Sequence, residues 1–387
     1  MPARKRNVAL LIETSNAYAR GLLQGMIGYI RDHSQWTVDF PEIGRGELPT
    51  RFLSGWSGDG MIARIETPSI ARAVVARGCP VVDVSAARHV PSVPWVETND
   101  EAIARMALTH FLDRGFHSFG FVGDRRFNWS RWRHDHFRSF AESSGCHFAS
   151  FDLAHQRRRD PNTTARPGLV HWISSLPRPT GLLACYDHAA RHVLTACREA
   201  NLKVPDEIAV LGVDNDEFLC NLTTPALSSV IPDTHRTGFE AARLLDRMMS
   251  GRPVQPTAHL IAPLGIATRQ STDVLAVDDT DVASALRFIR EHFLDGIQVR
   301  DILDHVALSR RILEDRFRRI LGRTPHEEIQ RLRISRVQQY LRETDLSVAE
   351  IARKTGFQHP EYMTVAFKRG TGMSPTNFRT RHRRSVQ

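Results

Sequence analysis

Residues 308–329 read L-S-R-R-I-L-E-D-R-F-R-R-I-L-G-R-T-P-H-E-E-I, and residues 346–369 read L-S-V-A-E-I-A-R-K-T-G-F-Q-H-P-E-Y-M-T-V-A-F-K-R. Each stretch carries a helix-start signal. Thr324-Pro325-His326-Glu327 offers a Thr cap, Pro at the first helical position and Glu at the third, and Ser347-Val348-Ala349-Glu350 repeats the capping box. The helix opening at Pro325 places Ile329, Leu332, Val337, Tyr340 and Leu341 on one stripe and runs to about Arg342. On either side the text predicts a pair of short helices. The first pair is Val299–His305, a turn at Val306–Leu308, and Ser309–Leu321 stopped by Gly322. The second is Val348–Lys354, a turn at Gly356-Phe357, and Pro360–Arg369. In each pair the later helix has an apolar side (Leu313, Phe317, Ile320, Leu321; Met363, Phe367) and a polar stripe. The stripes are Arg311, Glu314, Asp315, Arg318 and Glu361, Thr364, Val365, Lys368.

Charge tells what such stripes meet. From residue 284 onward there are 21 Lys+Arg against 12 Asp+Glu, while the first 283 residues hold 31 of each, so the chain's whole excess of +9 lies in its last quarter. A polyanion is the expected partner of that quarter. The central helix, roughly 27 Å long at 1.5 Å per residue, separates the two units by nearly the ~34 Å of one DNA turn. Double-stranded DNA, read at an operator or promoter, is therefore the expected partner.

Outward from there, residues 271–283 (S-T-D-V-L-A-V-D-D-T-D-V-A) begin acidic and aperiodic and read as a linker. Residues 1–270 alternate buried strands with amphipathic helices: Val8–Ile12, then Leu22, Leu23, Met26, Ile27 and Ile30 at helical spacing, then runs near 60–63, 80–84, 118–122, 181–185 and 208–213. Continuous apolar strands between helices predict an α/β, doubly wound region with two lobes. Such sheets bind ligands beyond their strand ends, where the text places Asn16, Tyr18 and Arg20; Asn99 and Asp100; Trp129, Trp132 and Arg133; Asp187; and Asp214 and Asn215. Carboxylates, amides and a guanidinium satisfy vicinal hydroxyls, and aromatic rings stack on a sugar's C–H face. A small-molecule sugar effector is expected. Gly21, Gly25 and Gly28 do not form G-x-G-x-x-G and read as close-packing positions. Neither a P-loop, G-x-S-x-G nor H-E-x-x-H is present, and Arg133-His134-Asp135-His136 lacks a third ligand. Hence no enzyme activity, cofactor or metal is expected. The five scattered cysteines make no C-x-x-C pair, and no apolar run approaches the roughly 18 residues of a membrane span, which points to the cytoplasm and no membrane.

Two resemblances sharpen this. Residues 308–329 and 346–357 with A-F-K-R-G-T-G-M-S-P-T-N-F-R (366–379) resemble the AraC/XylS DNA-binding domain. That implies two helix-turn-helix motifs in successive major grooves. By motif position Ser309, Arg310, Arg311, Glu314 and Asp315 would contact DNA from the first. His359, Glu361, Tyr362, Thr364 and Val365 would do so from the second, with Arg318, Lys368, Arg369 and Arg379 on phosphates. The chain departs from the family's frequent Arg or Gln at Glu314, Asp315, Glu361 and Val365, although carboxylates can accept from cytosine and Val can touch a thymine methyl. V-P-D-E-I-A-V-L-G-V-D-N (204–215), P-A-L-S-S-V (225–230), R-P-T-G-L-L-A-C-Y-D (178–187) and the 99–115 run are similar to LacI/GalR-type effector domains, which share the periplasmic-binding-protein-like (type 1) fold. That resemblance implies that Asn99, Asp100, Arg133, Tyr186 and Asp214 line the cleft.

A LacI-like sensor (1–270) ahead of an AraC-type reader (284–387) resembles transcription factors that activate pentose catabolism in response to D-xylose. It implies a homodimer that recruits RNA polymerase. A sugar enzyme with a structural helical tail, a regulator answering a non-pentose effector, and a non-sensing DNA binder stay open at this point.

Overall fold

The computed structural model describes residues 5–33, 36–155, 167–273 and 279–383. The chain divides into two compact units, Met1–Val274 and Leu275–Gln387.

The first unit has two lobes. β1 (Arg6–Leu11), α1 (Ala17–His33), β2 (Trp36–Asp39), α2 (Thr50–Gly55), β3 (Gly60–Ala63), α3 (Pro68–Val75), β4 (Val81–Asp83) and β5 (Trp95–Thr98) build the first. The chain then crosses over. α4 (Asp100–Leu112), β6 (Ser118–Gly123), α5 (Asn128–Ser143), β7 (His147–Asp152), α6 (Pro167–Ser174), β8 (Thr180–Ala184), α7 (Asp187–Glu199), β9 (Ile208–Val213), α8 (Glu217–Leu222) and β10 (Ser228–Ile231) build the second. α9 (Thr234–Met249) and β11 (Ala258–Ile261) return to the first lobe, and β12 (Gly265–Ala267) closes the second. The sheets run β11-β5-β4-β3-β1-β2 and β12-β10-β9-β8-β6-β7, parallel except for β12 against β10. Three chain crossings therefore join the lobes.

Continuous apolar strands end up buried because helices cover both sheet faces. Val8, Leu10 and Ile12 face one side with Leu22 and Met26, while Ala9 and Leu11 face the other with Ile70 and Val74. In the second lobe Phe119, Phe121 and Phe137 are fully enclosed. The return helix α9 packs backbone-close on α1. A Cβ at Gly25 would lie 1.9 Å from the His235 carbonyl oxygen, and one at Gly238 1.9 Å from that of Leu22. Gly21 and Gly25 thus serve packing, as their spacing suggested; Gly28 meets only ordinary contacts.

The second unit is all helix: α10 (Thr280–His292), α11 (Val299–Val306), α12 (Arg310–Leu321), α13 (Pro325–Glu343), α14 (Val348–Lys354), α15 (Pro360–Thr371) and α16 (Pro375–Arg383). Both expected capping boxes form, Thr324 with Glu327 and Ser347 with Glu350. A third, Gln298 with Asp301, opens α11. α13 joins two separate cores. Its Ile329 and Leu332 pack with Ile302, Leu313 and Phe317, and its Val337 and Leu341 with Ile351, Met363 and Phe367.

The expected linker needs correction at both ends. Ser271 and Thr272 are fully buried in the sensor, where their hydroxyls donate to the Val210 carbonyl (2.6 Å) and to Ser228 Oγ (2.7 Å). At the other end Asp279 caps α10, so residues 280–283 are helical. Residues 274–278 lie outside the described residues. Among the described residues no helix is long and apolar enough to cross a membrane.

Candidate functional site

In both lobes the strand order reverses at a central strand, β1 between β2 and β3, and β6 between β7 and β8. Loops leaving such a strand diverge and open a crevice at the carboxyl ends. A cavity of about 380 Å3 lies there, walled by both lobes.

Arg133 on α5 organises the wall it occupies. It is only 5% exposed. Its Nε donates to Asp100 Oδ1 (2.6 Å), Nη1 donates to the Cys185 carbonyl (2.5 Å), and its guanidinium lies 5.1 Å from the Trp129 ring centre. Burial opposes its charge, but Asp100 and Asp214 outweigh that and raise its pKa. Burial also raises the Asp100 carboxyl, against the pull of Arg133.

Asp214 directly follows β9 with φ 109°, and Asn215 comes next at 49°. Positive φ is sparsely populated for side-chain-bearing residues, and the first value is well outside the usual left-handed well. This backbone directs the Asp214 carboxylate to the cavity, where it accepts no hydrogen bond from any described residue. Burial raises its pKa; Arg133, Arg45 and Arg64 act in the opposite direction. It is a half-buried acceptor that faces the cavity.

Asp187 also lines the cavity but is occupied. It accepts from Asp216 N (2.8 Å) and Ser229 Oγ (2.6 Å). A Cβ at Gly212 would come within 2.2 Å of its Oδ1, so glycine there lets the carboxylate brace the β9 loop. Burial raises the Asp187 pKa, with Asp214 adding to it.

Among the other expected residues, Asn16, Tyr18, Asp100, Trp129 and Tyr186 line the cavity. Asn16 is partly engaged by Glu13 and the Ala19 amide, and Tyr18 hydrogen-bonds Thr98 (3.0 Å). Four expected contacts do not line it. Arg20 donates to the Thr14 carbonyl; Asn99 caps α4; Asn215 turns its amide N–H to Ser229; Trp132 lies under the Arg88 guanidinium at 4.1 Å. The His134-Asp135-His136 run lies on helix α5, not on a loop.

Sequence reasoning missed Arg45, Arg64, Glu97, Thr98, His188, Arg191 and Asp216. Arg64 directly follows β3 and is clasped by Glu13 and Glu66, so the strand-end rule that found Asp214 reaches it too. Glu97 lies within β5, where only sheet register shows which face it takes. Beside the cavity the lobes touch. Asn128 Nδ2 donates to the Ala86 (3.0 Å) and Ala87 (3.1 Å) carbonyls, and Arg45 lies 4.8 Å from the Phe127 ring centre.

In the helical unit, Ser309 caps α12 by accepting from the Ile312 amide, and Arg310, Arg311, Asp315 and Arg318 are exposed. Glu314 is half-buried between Arg310 (2.8 Å) and Arg318 (3.6 Å), which departs from the expected open reading position. His359 caps α15 through its backbone alone. Glu361, Tyr362, Val365, Lys368 and Arg369 are exposed, whereas Thr364 returns its hydroxyl to the Pro360 carbonyl (2.9 Å). Arg379, expected on phosphate, donates to the Leu346 carbonyl instead.

Comparison with known proteins agrees with this anatomy. Residues 7–101 match the XylR N-terminal domain model, 108–272 a periplasmic binding protein-like domain and 302–381 a helix-turn-helix domain. The xylose operon regulatory protein of Haemophilus influenzae is 32% identical over 381 residues, covering 96% of this chain and 97% of that one. Its namesake from Escherichia coli K12 is 29% identical, with 98% of each covered. A solved structure of a xylose-binding transcription activator superposes with a TM-score of 0.70 at 28% identity, covering 98% of this chain and 99% of that one.

Proposed function

The chain belongs to the family of xylose operon regulatory proteins, and from that premise we propose that D-xylose binds in the interlobe cavity and sets how the helical unit engages its operator. The chain is a sugar-responsive transcriptional regulator with a helix-turn-helix DNA-binding domain. Asp214 carries the proposal: a half-buried carboxylate that faces the cavity beside Arg133 and Trp129 and accepts no hydrogen bond among the described residues. Two vicinal hydroxyls can donate to its oxygens while the ring's C–H face lies on the indole. Asp100 holds the Arg133 fork in place, so the guanidinium is oriented before sugar arrives.

Sugar in contact with both lobes favours the closed arrangement only by its differential affinity for it. Closure is the proposed signal to α12 and α15. We read the chain as a cytoplasmic activator and not an enzyme, acting as a homodimer that recruits RNA polymerase. Asn99, Arg20, Trp132 and Asn215 then act around the sugar site, not in it.

Thermal unfolding of the purified chain against a panel of pentoses and hexoses tests this. D-xylose at about 100 times its Kd adds roughly 2.7 kcal/mol to native stability, so the sensor transition moves up by a few degrees. A shift with another sugar alone would replace the effector. No shift with any would overturn the sugar site.

A further inference from the structure

α12 and α15 correspond position by position at an offset of fifty residues. Leu313 matches Met363, Phe317 matches Phe367, and Gly322 matches Gly372, each of these glycines closing its helix in the left-handed conformation. The buried faces are therefore equivalent, and the outward faces can be compared directly. They differ in kind. On α12 the exposed side chains include Arg311 and Asp315, a donor fork and an acceptor, flanked by the Arg310–Glu314–Arg318 ladder. At the matching places α15 has Glu361 and Val365. Val365 is 66% exposed, and the neighbouring Thr364 has spent its hydroxyl on its own helix. At the middle of α15, then, the outermost side chain is apolar, where its counterpart on α12, Asp315, is a carboxylate.

We propose that the second helix-turn-helix unit recognises its part of the operator by apolar contact, with Val365 packed on the 5-methyl group of a thymine. This rests on the reading that α12 and α15 enter major grooves. Among base edges there, only thymine presents a methyl group. A β-branched side chain held off the protein surface removes apolar area from water when it meets that methyl, whereas a cytosine amino group or guanine carbonyl in its place would lose a partner on burial. The first unit reads hydrogen-bond patterns through Arg311 and Asp315. The two halves of the recognised sequence thus differ in chemistry, and a direct repeat need not be read identically twice.

The test replaces thymine by deoxyuridine, which keeps the pairing edge and deletes only the methyl. The full-length protein with D-xylose first selects its preferred duplex from a randomised pool. Each thymine of that duplex is then replaced singly, and binding is measured for the wild type, Val365→Ala and Asp315→Ala. Loss of one buried methyl is worth about fourfold in affinity. The expected result is at least one thymine whose replacement weakens the wild type about fourfold, leaves Val365→Ala unaffected, and still weakens Asp315→Ala. Unchanged uracil sensitivity in Val365→Ala, or no sensitive thymine in the selected duplex, overturns the proposal while the reader stands. A selection that enriches no sequence overturns the reader and the proposal together. Because Val365 supports no core, its truncation leaves the fold intact, which the unfolding temperature verifies.

Discussion

The sensor cleft and the reading helices are both rich in arginines and carboxylates, yet they hold them in opposite ways. In the cleft Arg133, Asp100, Arg64 and Glu13 are enclosed and paired, each head group fixed by a neighbour. On α12 and α15 Arg311, Arg318, Lys368 and Arg369 extend into solvent. The difference matches the two targets. A neutral, small, polyhydroxylated ligand must be recognised by direction, so its site needs rigid donors and acceptors in a low-dielectric pocket. A polyanion is recognised first by field, at long range, and then by a few contacts to base edges. Charges inside the cleft should accordingly be costly to remove and insensitive to salt. Those on the reader should be cheap for folding and strongly dependent on salt for binding.

The largest expected break of that contrast is Arg133→Ala. Removing one partner of a buried, hydrogen-bonded pair strands Asp100 and costs about 3–5 kcal/mol, read as a lower denaturation midpoint of the sensor with sugar binding lost. Arg311→Ala, by contrast, leaves the unfolding temperature unchanged. It weakens binding to the selected operator by roughly tenfold, as expected for a base contact of about 1–3 kcal/mol, and leaves sugar affinity intact. Equal thermal losses in both variants would erase the distinction drawn between the two regions.

A smaller effect concerns two carboxylates of the first lobe. Burial pushes Asp83 and Glu97 up to about 7. Asp83 Oδ1 accepts from the Ile65 and Ser85 amides, while its Oδ2 has no hydrogen-bond partner among the described residues. A folded-state pKa above the unfolded value means the native state binds the proton more tightly. Stability from this source is therefore present at low pH and lost as pH rises through about 7. Asp83→Asn keeps an oxygen for the two amides and removes the titration. Its midpoint in denaturant should exceed the wild type's at pH 8, and the advantage should shrink toward pH 5. A difference constant across that range would contradict the assignment.

The two regions also differ in how legible they are in the sequence. In the reader, capping boxes at Thr324 and Ser347, helix stops at Gly322 and Gly356, and apolar stripes all repeat local rules, and the structure follows them within a few residues. In the sensor, the central strands are legible as uninterrupted apolar runs. β2, β5, β7 and β11 are not, because they carry polar or aromatic residues such as Glu97, His147 and His259 at positions that only pairing makes strand-like. The cleft follows the same division. Asp214 and Arg133 follow central strands and can be expected there. Glu97 faces the cavity by register, and Arg45 reaches it from a segment without regular structure. Asp187 is legible as a polar residue in the right place, but not as one already satisfied by Ser229 and Asp216. Side-chain partners separated by tens of residues leave no local signature.

Operator binding by the full-length protein, measured with and without D-xylose in the wild type and in Asp214→Ala, tests the coupling of cleft to reader most directly. The wild type should change its operator affinity or footprint when sugar is added. Asp214→Ala should bind the operator as the sugar-free wild type does and show no change with sugar. A normal sugar response in Asp214→Ala would contradict the placement of the site, and a wild type indifferent to sugar would contradict the coupling itself.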